Sequence, residues 1–267
     1  MEIDYPRIPD DGALLMLLSR EAIYETAIQP HLSAMSPDER RRHAQLAAEH
    51  HRRQFAIAHV AIRCLLARAI GIEPKDVSFL KDEYGKPYLA NENDLHFNIS
   101  HCDDLVVLAV ARGRRVGVDV ESATHAQVED LEFILDRYLA PTECTWVRKA
   151  DGVTRLTRFL ELWTLKESYV KAIGLGLSKE LADCVFHIKG ANDSFIVFED
   201  ASLSPESRAS WQFFQWISHN DHRIALTLEG KSAAHKVLEP TSVVALHGDE
   251  TQKALPQLLR QGSGREL

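Results

Sequence analysis

Two acidic residues near the middle of the chain alternate with valines in the run Gly117-Val118-Asp119-Val120-Glu121. On a β-strand, side chains two positions apart point to the same face, so Asp119 and Glu121 would project together while the valines face the core. Two neighbouring carboxylates repel each other unless a cation lies between them, which is typical of a site for a hard metal ion. On spacing alone, a strand with an acidic face in water is the commoner explanation.

A second group of chemically useful residues follows helical spacing. Trp163, Glu167, Lys171 and Gly174 are each three or four positions apart, so they share one helix face. A surface Glu–Lys pair would explain Glu167 and Lys171, but the flanking Leu162 and Trp163 indicate that this face looks inward. A half-buried carboxylate beside a lysine favours a metal or phosphate partner.

A third group lies in the run from His96 to His101, which has the pattern of a strand leading into a turn. Ser100 and His101 could donate hydrogen bonds to phosphate oxygens there. Lys86 lies between Gly85 and Pro87 on a predicted short turn. Taken alone, each of these residues is also explained as ordinary loop polarity or a solvated turn.

The elements that must position these residues alternate between helical and extended patterns. A buried strand is predicted at 13–18, and a long helix from 36 to 70 that begins with a capping box at Ser36. Four strands in an antiparallel meander are predicted at 77–80, 95–99, 105–111 and 116–121. Three helices are predicted at 126–139, at 142–150 with Thr142 as its cap, and at 154–173. Strands return at 184–189, 194–198, 211–217 and 222–228.

This order of elements predicts the α+β class with two similar-sized halves. We expect an N-terminal half over residues 1–118 and a C-terminal half over 119–247. The polar segment 248–267 is expected to be a loose tail.

Composition narrows the class of function. The 267 residues carry a net charge of −8 and no block of five or six like charges, which argues against bulk nucleic-acid binding. The early apolar run at 13–18 is far shorter than a membrane span. The four cysteines are scattered and form no CxxC pair, so we expect a reduced, cytoplasmic protein without a disulfide framework.

Taken together and in order, the motifs point to one family. The strings GKPYL, FNISH, VGVDVE and LWTLKESYVKAIGLGLS resemble the Sfp-type 4′-phosphopantetheinyl transferases over about residues 85–178, with a weaker match at 36–63. The resemblance implies a pseudo-twofold pair of α+β halves, each a small, mainly antiparallel sheet packed with helices. It also implies that coenzyme A binds in the cleft between the halves.

The resemblance assigns roles to residues at the matching positions. It implies a Mg²⁺ site, with Mn²⁺ as a substitute, whose ligands are Asp119, Glu121 and Glu167. The catalytic residues that it implies are Glu167 as the base, Lys171 on the coenzyme A pyrophosphate, and Glu143 as a second candidate base. The implied contacts to coenzyme A are Arg53, Lys86, Ser100, His101, Asp119 and Lys171.

The implied activity is transfer of 4′-phosphopantetheine from coenzyme A to a serine of an apo acyl or peptidyl carrier protein, with release of adenosine 3′,5′-bisphosphate. The expected partners are coenzyme A and the carrier, and the expected state is a monomer. Two departures concern the cofactor site: Cys102-Asp103-Asp104 follows His101, and Glu39 stands where a basic contact is expected.

Two other functions remain open from the residues. A coenzyme A-binding sensor or scaffold without transferase activity would not need three metal ligands. An unrelated Mg²⁺-dependent nucleotidyl transferase or phosphatase would share the acids but would leave the FNISH and GKP motifs unexplained.

Overall fold

The computed structural model describes residues 5–91, 94–102, 104–123, 130–189, 195–218, 220–230, 242–246 and 257–263. The α-helices of these residues are α1 (Arg20–Ile23), α2 (Pro37–Gln45), α3 (Glu49–Ile70), α4 (Leu131–Tyr138), α5 (Pro141–Arg148), α6 (Gly152–Ile173) and α7 (Pro205–Ala209). The strands are β1 (Ala13–Ser19), β2 (Phe79–Lys81), β3 (Pro87–Leu89), β4 (Leu95–His101), β5 (Leu105–Arg112), β6 (Val116–Ser122), β7 (Cys184–Lys189), β8 (Phe195–Asp200), β9 (Trp211–Ile217), β10 (His222–Glu229), β11 (Ser242–Leu246) and β12 (Gln257–Ser263).

Two sheets form the centre of the molecule, and each carries one long helix on its outer face. One sheet has the strand order β11-β1-β5-β4, and the other has the order β6-β10-β9-β12-β8-β7. The 22-residue helix α3 packs on the first sheet, and the 22-residue helix α6 packs on the second. The expected α+β class is confirmed.

The alternation along β1 shows how the layers are held together. Leu14 and Met16 belong to the core shared with α3, whereas Leu15 and Leu17 belong to a core between the two sheets. Because both faces of β1 are covered, the strand has a continuous apolar run rather than a polar–apolar alternation. From the second sheet, Val118 packs into the same central core.

The predicted meander is wrong at its first and last strands. The first predicted strand corresponds to β2, which pairs with β3 in a separate two-stranded sheet. β4 and β5 pair antiparallel, but β6 leaves the first sheet and pairs antiparallel with β10 of the second. The three-residue connection at 113–115 is short enough for a hairpin, so its length could not distinguish the two outcomes. The apolar face of β6 explains why the strand pairs with β10. Val116, Val118 and Val120 pack against the face of the first sheet, so β6 does not extend the edge of that sheet.

The predicted helix over 36–70 is divided in two. The capping box is present: the Ser36 hydroxyl accepts from the Glu39 amide, and the Glu39 carboxylate accepts from the Ser36 amide. Helix α2 nevertheless ends at Gln45, and α3 begins at Glu49. Arg52 donates to the carbonyl oxygens of Leu46 and Ala47 at 2.7 and 2.8 Å, which satisfies the backbone acceptors that the break exposes.

Three further differences concern element ends. Helix α5 is capped by Ala140 rather than by Thr142. The division expected at 118/119 falls within β6. Residues 257–263 of the predicted loose tail form β12, which pairs with both β8 and β9.

None of the helices in the described part of the chain combines the length and apolarity needed to cross a bilayer.

Candidate active site

An open cavity of about 360 Å³ lies where strands β4 and β6 meet helix α6. It is lined by residues from each of the three sequence groups, namely Ile99, Ser100, His101, Asp119, Val120, Glu121, Trp163, Glu167 and Lys171. The structure therefore brings together side chains that lie up to 72 positions apart in the sequence, from Ile99 to Lys171.

Strand alternation and a close approach of helix α6 place the acids of β6. Val118 and Val120 face the core between the sheets, and the opposite face directs Asp119 and Glu121 toward α6. Gly117 permits this packing, because a Cβ atom at that position would collide with the backbone of α6 at Ser168 and Ala172. Its lack of a side chain lets the helix lie directly against the strand.

The two carboxylate oxygens of Asp119 lie in different environments. Lys171 Nζ lies 2.5 Å from Oδ1, and Ser100 Oγ donates to the same oxygen at 2.9 Å. Lys171 Nζ also donates to Ser100 Oγ at 3.0 Å. Oδ2 is buried and has no hydrogen-bond partner among the residues that the structure describes. Because a buried carboxylate oxygen without a partner is costly, this atom is suited to receive a cation.

The electrostatics of the cavity also favour a cation. Burial, together with repulsion from Asp119 and Glu167, raises the pKa of Glu121 to about 7, although Lys171 and a hydrogen bond from Trp163 oppose the shift. Burial and the charge of Asp119 likewise raise the pKa of Glu167. Three carboxylates supply the hard oxygen ligands that Mg²⁺ prefers, so Asp119, Glu121 and Glu167 fit that ion.

His101 and Trp163 complete the cavity wall. His101 ends β4 with an exposed side chain, which leaves its ring accessible to an anionic ligand. The helical spacing placed Trp163 on the same face as Glu167 and Lys171, but the family resemblance gave it no role in the site. The structure places its side chain in the cavity wall.

Lys86 contacts backbone carbonyl groups, and its contact with coenzyme A remains a prediction. Its Nζ donates to the carbonyl oxygen of Ala172 at 2.8 Å and lies 3.4 Å from that of Val116. Burial, together with the charge of Arg115, lowers the pKa of Lys86 to about 8. The ammonium thus joins the turn before β3 to the end of α6 and is not among the groups that line the cavity.

Arg53 is also engaged elsewhere. Its guanidinium is 3.0 Å from Glu25 and 2.6 Å from Glu49, and it lies over the ring of Tyr24. The structure does not bring it to the cavity wall, and its contact with coenzyme A remains a prediction.

Glu143 lies in the core of the second half. Its carboxylate is 2.7 Å from Lys166 Nζ and accepts hydrogen bonds from the amides of Ala140 and Phe186. Both partners of this ion pair have fully buried side chains. These contacts join the start of α5 to α6 and β7, and the structure does not bring Glu143 to the cavity.

The two sequence departures have structural explanations. Glu39 is 2.8 Å from His59 Nδ1 and 2.6 Å from Arg63 Nε, so it connects α2 to α3. Burial alone would raise its pKa, but the hydrogen bonds from His59 and Arg63 outweigh that effect and hold the pKa at about 2. Asp104 binds His222 at 2.7 Å instead of lining the cavity. Asp103 lies outside the described residues.

Family models match both halves of the chain. Residues 24–113 match the N-terminal part of a 4′-phosphopantetheinyl transferase, and residues 115–227 match the 4′-phosphopantetheinyl transferase superfamily. The boundary between these two matches falls in the connection between β5 and β6, where the chain passes from one sheet to the other.

Individual relatives carry the same name. A 4′-phosphopantetheinyl transferase from Bacillus subtilis is 30% identical over 168 residues, which cover 63% of this chain and 72% of that protein. The transferase HetI from Nostoc is 33% identical, with 58% and 66% covered. The transferase gsp from Aneurinibacillus migulanus is 36% identical, and the match spans 45% of this chain and about half (48%) of that relative. With both halves matched in order and two thirds of a relative covered at this identity, the chain belongs to the 4′-phosphopantetheinyl transferase superfamily.

Proposed function

We propose that this chain transfers 4′-phosphopantetheine from coenzyme A to a serine hydroxyl of an apo carrier protein. The observation that carries the proposal is the cavity itself. Three carboxylates, a lysine and the histidine of FNISH share one open space where β4 and β6 meet α6, and one buried oxygen of Asp119 has no hydrogen-bond partner among the described residues.

Asp119, Glu121 and Glu167 would hold the Mg²⁺ ion. When bound, the ion supplies positive charge that neutralises the pyrophosphate of coenzyme A. Lys171 adds a point charge from the same wall, and its hydrogen bond to Ser100 holds both groups in place before the substrate arrives. His101 would donate to phosphate oxygens from the end of β4, where its ring lines the cavity. Ser100 lines the same wall and would donate to phosphate after its hydroxyl proton is released from Asp119 Oδ1.

The transfer is a single displacement at the β-phosphorus of coenzyme A. The serine oxygen of the carrier forms a bond to the β-phosphorus of coenzyme A, and the bond from that phosphorus to the bridging oxygen of the pyrophosphate breaks. The products are the holo carrier and adenosine 3′,5′-bisphosphate, and the serine proton passes to a base on the enzyme. We assign Glu167 as this base, because its carboxylate lines the open cavity one helical turn from Lys171, where the carrier serine would meet the pyrophosphate.

The test is an assay of the full chain with coenzyme A, Mg²⁺ and a panel of apo acyl and peptidyl carriers, read by the mass of the carrier. We expect the carrier to gain the mass of phosphopantetheine while adenosine 3′,5′-bisphosphate is released. Binding of coenzyme A without any mass gain would indicate a sensor or scaffold. Nucleotide hydrolysis without a carrier would indicate an unrelated Mg²⁺-dependent enzyme.

Substitutions separate metal binding from proton transfer. We expect Asp119→Asn and Glu167→Gln each to lower transfer by about 10²–10³-fold. Raising the Mg²⁺ concentration should partly restore Asp119→Asn, which loses the charge of one ligand and of the ion pair with Lys171 but keeps the base. It should not restore Glu167→Gln, which loses the base as well as a ligand. Glu206→Gln is the control, because Glu206 is an exposed acid on α7. Near-normal activity of Glu167→Gln would refute its assignment.

A further inference from the structure

A second cluster of metal-ligand side chains lies outside the cavity. Cys102 and Asp104 belong to the turn between β4 and β5, and His222 begins β10. One ligand atom from each residue lies within 4.8 Å of the other two. The first two residues come from the first sheet and the third comes from the second sheet, so the cluster spans the junction between them.

The histidine of this cluster is held in one orientation. His222 is 3% exposed, its Nε2 lies 2.7 Å from Asp104 Oδ1, and its Nδ1 lies 2.7 Å from Ser218 Oγ. A hydrogen bond at the second ring nitrogen is the usual way in which proteins orient a histidine that binds metal through the first. Ser218 therefore provides the outer support that such a site requires.

The backbone of the other two ligand residues is also held by hydrogen bonds. The amide of Cys102 donates to the carbonyl oxygen of Leu105 at 3.0 Å, and Gln54 Nε2 donates to the carbonyl oxygen of Cys102 at 2.6 Å. The amide of Arg20 donates to the carbonyl oxygen of Asp104 at 2.8 Å. These bonds hold the backbone of Cys102 and Asp104 from two helices, so binding a metal would need little ordering of these two residues.

We propose that Cys102, Asp104 and His222 bind a divalent transition-metal ion, with Zn²⁺ the best match, and that this ion connects the two sheets beside His101. One thiolate, one imidazole and one carboxylate are ligands that Zn²⁺ accepts, and three protein ligands leave a fourth position for water. The thiolate separates this site from the cavity, because Mg²⁺ prefers oxygen ligands and soft sulfur selects transition metals.

An ordinary His–Asp ion pair would explain Asp104 and His222 without a metal. It would not account for the thiol of Cys102 converging on the same point. Ligand atoms of a tetrahedral Zn²⁺ ion are about 3.3–3.7 Å apart, given bonds of about 2.0–2.3 Å. Entry of the ion would thus require the 2.7 Å contact between Asp104 and His222 to open by about 0.6 Å, a shift that side-chain rotation can supply.

Co²⁺ provides the direct test, because its absorption reports both geometry and sulfur ligation. The full chain, first stripped with a chelator, is titrated with Co²⁺ in the presence of excess Mg²⁺ to keep the carboxylate cavity occupied. We expect one equivalent of Co²⁺ to produce a thiolate charge-transfer band and the visible bands of tetrahedral coordination. Zn²⁺ should remove both, and Zn²⁺ alone should raise the thermal unfolding temperature.

Matched variants assign the bands to residues. Cys102→Ser should abolish the charge-transfer band and weaken Zn²⁺ binding by at least tenfold, as should His222→Gln. Cys64→Ser is the control, because the Cys64 side chain is half-buried, as that of Cys102 is, but lies outside the cluster. If His222→Gln fails to fold, Cys102→Ser still tests the proposal, because the Cys102 side chain is only partly buried. A Co²⁺ spectrum without a sulfur band, or one that Cys102→Ser leaves unchanged, would overturn the proposal.

Discussion

Lys171 brings a positive charge into a cavity lined by three acids. Its ammonium touches Asp119 Oδ1 and Ser100 Oγ, and its charge lowers the pKa values of Glu121 and Glu167 against the effect of burial. Lys171 therefore has two opposing effects: it stabilises the acids in their charged form, and it repels a metal ion that approaches them.

Because of these two effects, Lys171→Met should change the transfer rate and the Mg²⁺ requirement for separate reasons. We expect the transfer rate at saturating Mg²⁺ to fall by about 10²-fold, because the charge on the pyrophosphate loses a partner. The Mg²⁺ concentration for half-maximal rate should fall several-fold, because a repulsive charge is removed. Measuring the transfer rate as a function of Mg²⁺ concentration gives both the saturating rate and the half-maximal concentration.

Lys179→Met is the control for this prediction. Lys179 forms a similar ion pair, at 2.9 Å from Asp200, but lies outside the cavity. Its replacement should leave the rate unchanged. Weaker Mg²⁺ binding together with a lower unfolding temperature in Lys171→Met would show that the residue acts on folding instead.

For individual residues, the sequence predicted which face of a strand or helix a side chain occupies better than it predicted which other side chains it contacts. Strand and helix spacing correctly placed Asp119 with Glu121 and Glu167 with Lys171, because side-chain direction follows from local geometry. The contact of Lys171 with Ser100 joins residues 71 positions apart, and no local rule connects them. The burial of Glu143 against Lys166 was unpredictable for the same reason, since it depends on how α5 packs against α6.

Between elements, the distance from β6 to α6 determines where the acids of the strand meet those of the helix. Gly117 sets this distance, because the helix backbone at Ser168 and Ala172 occupies the space that a side chain would need. Backbone atoms cannot rotate away as a side chain can, so an added methyl group must push the elements apart.

Gly117→Ala should therefore reduce both stability and activity. We expect the free energy of unfolding to fall by about 2–3 kcal/mol, at the upper end of the usual cost of overpacking. Transfer should fall further than stability predicts, because Asp119 and Glu167 move relative to each other. Chemical denaturation and the carrier assay measure the two effects.

Gly230→Ala is the matched control for Gly117→Ala. Its added Cβ would lie 3.1 Å from the carbonyl oxygen of Ser210, a contact that a small shift relieves. We expect a cost below about 1 kcal/mol there. Equal costs at the two glycines would mean that β6 and α6 can separate freely, contrary to the packing described here.

Across the whole molecule, the last strands close sheets that begin far earlier in the sequence. β11 pairs in parallel with β1 at the edge of the first sheet, and β12 lies between β8 and β9 in the second. The polar composition after residue 247 predicted a loose tail, because hydropathy reports on side chains. Strand pairing depends on backbone hydrogen bonds, which composition does not reveal.

Truncation distinguishes these two descriptions of the C-terminal segment. A chain ending at residue 247 would lack β12 and leave β8 and β9 without the partner between them, whereas a chain ending at 263 would keep every described strand. Because the lost strand is internal to its sheet, we expect the shorter chain to unfold about 10 °C lower or more. Hydrogen exchange should also become faster at the amides of β8 and β9. The chain ending at 263 is the control and should match the full-length protein. If the chain ending at 247 unfolds at the same temperature as the full chain, β12 contributes nothing to the second sheet, and the loose tail predicted from composition is the correct description.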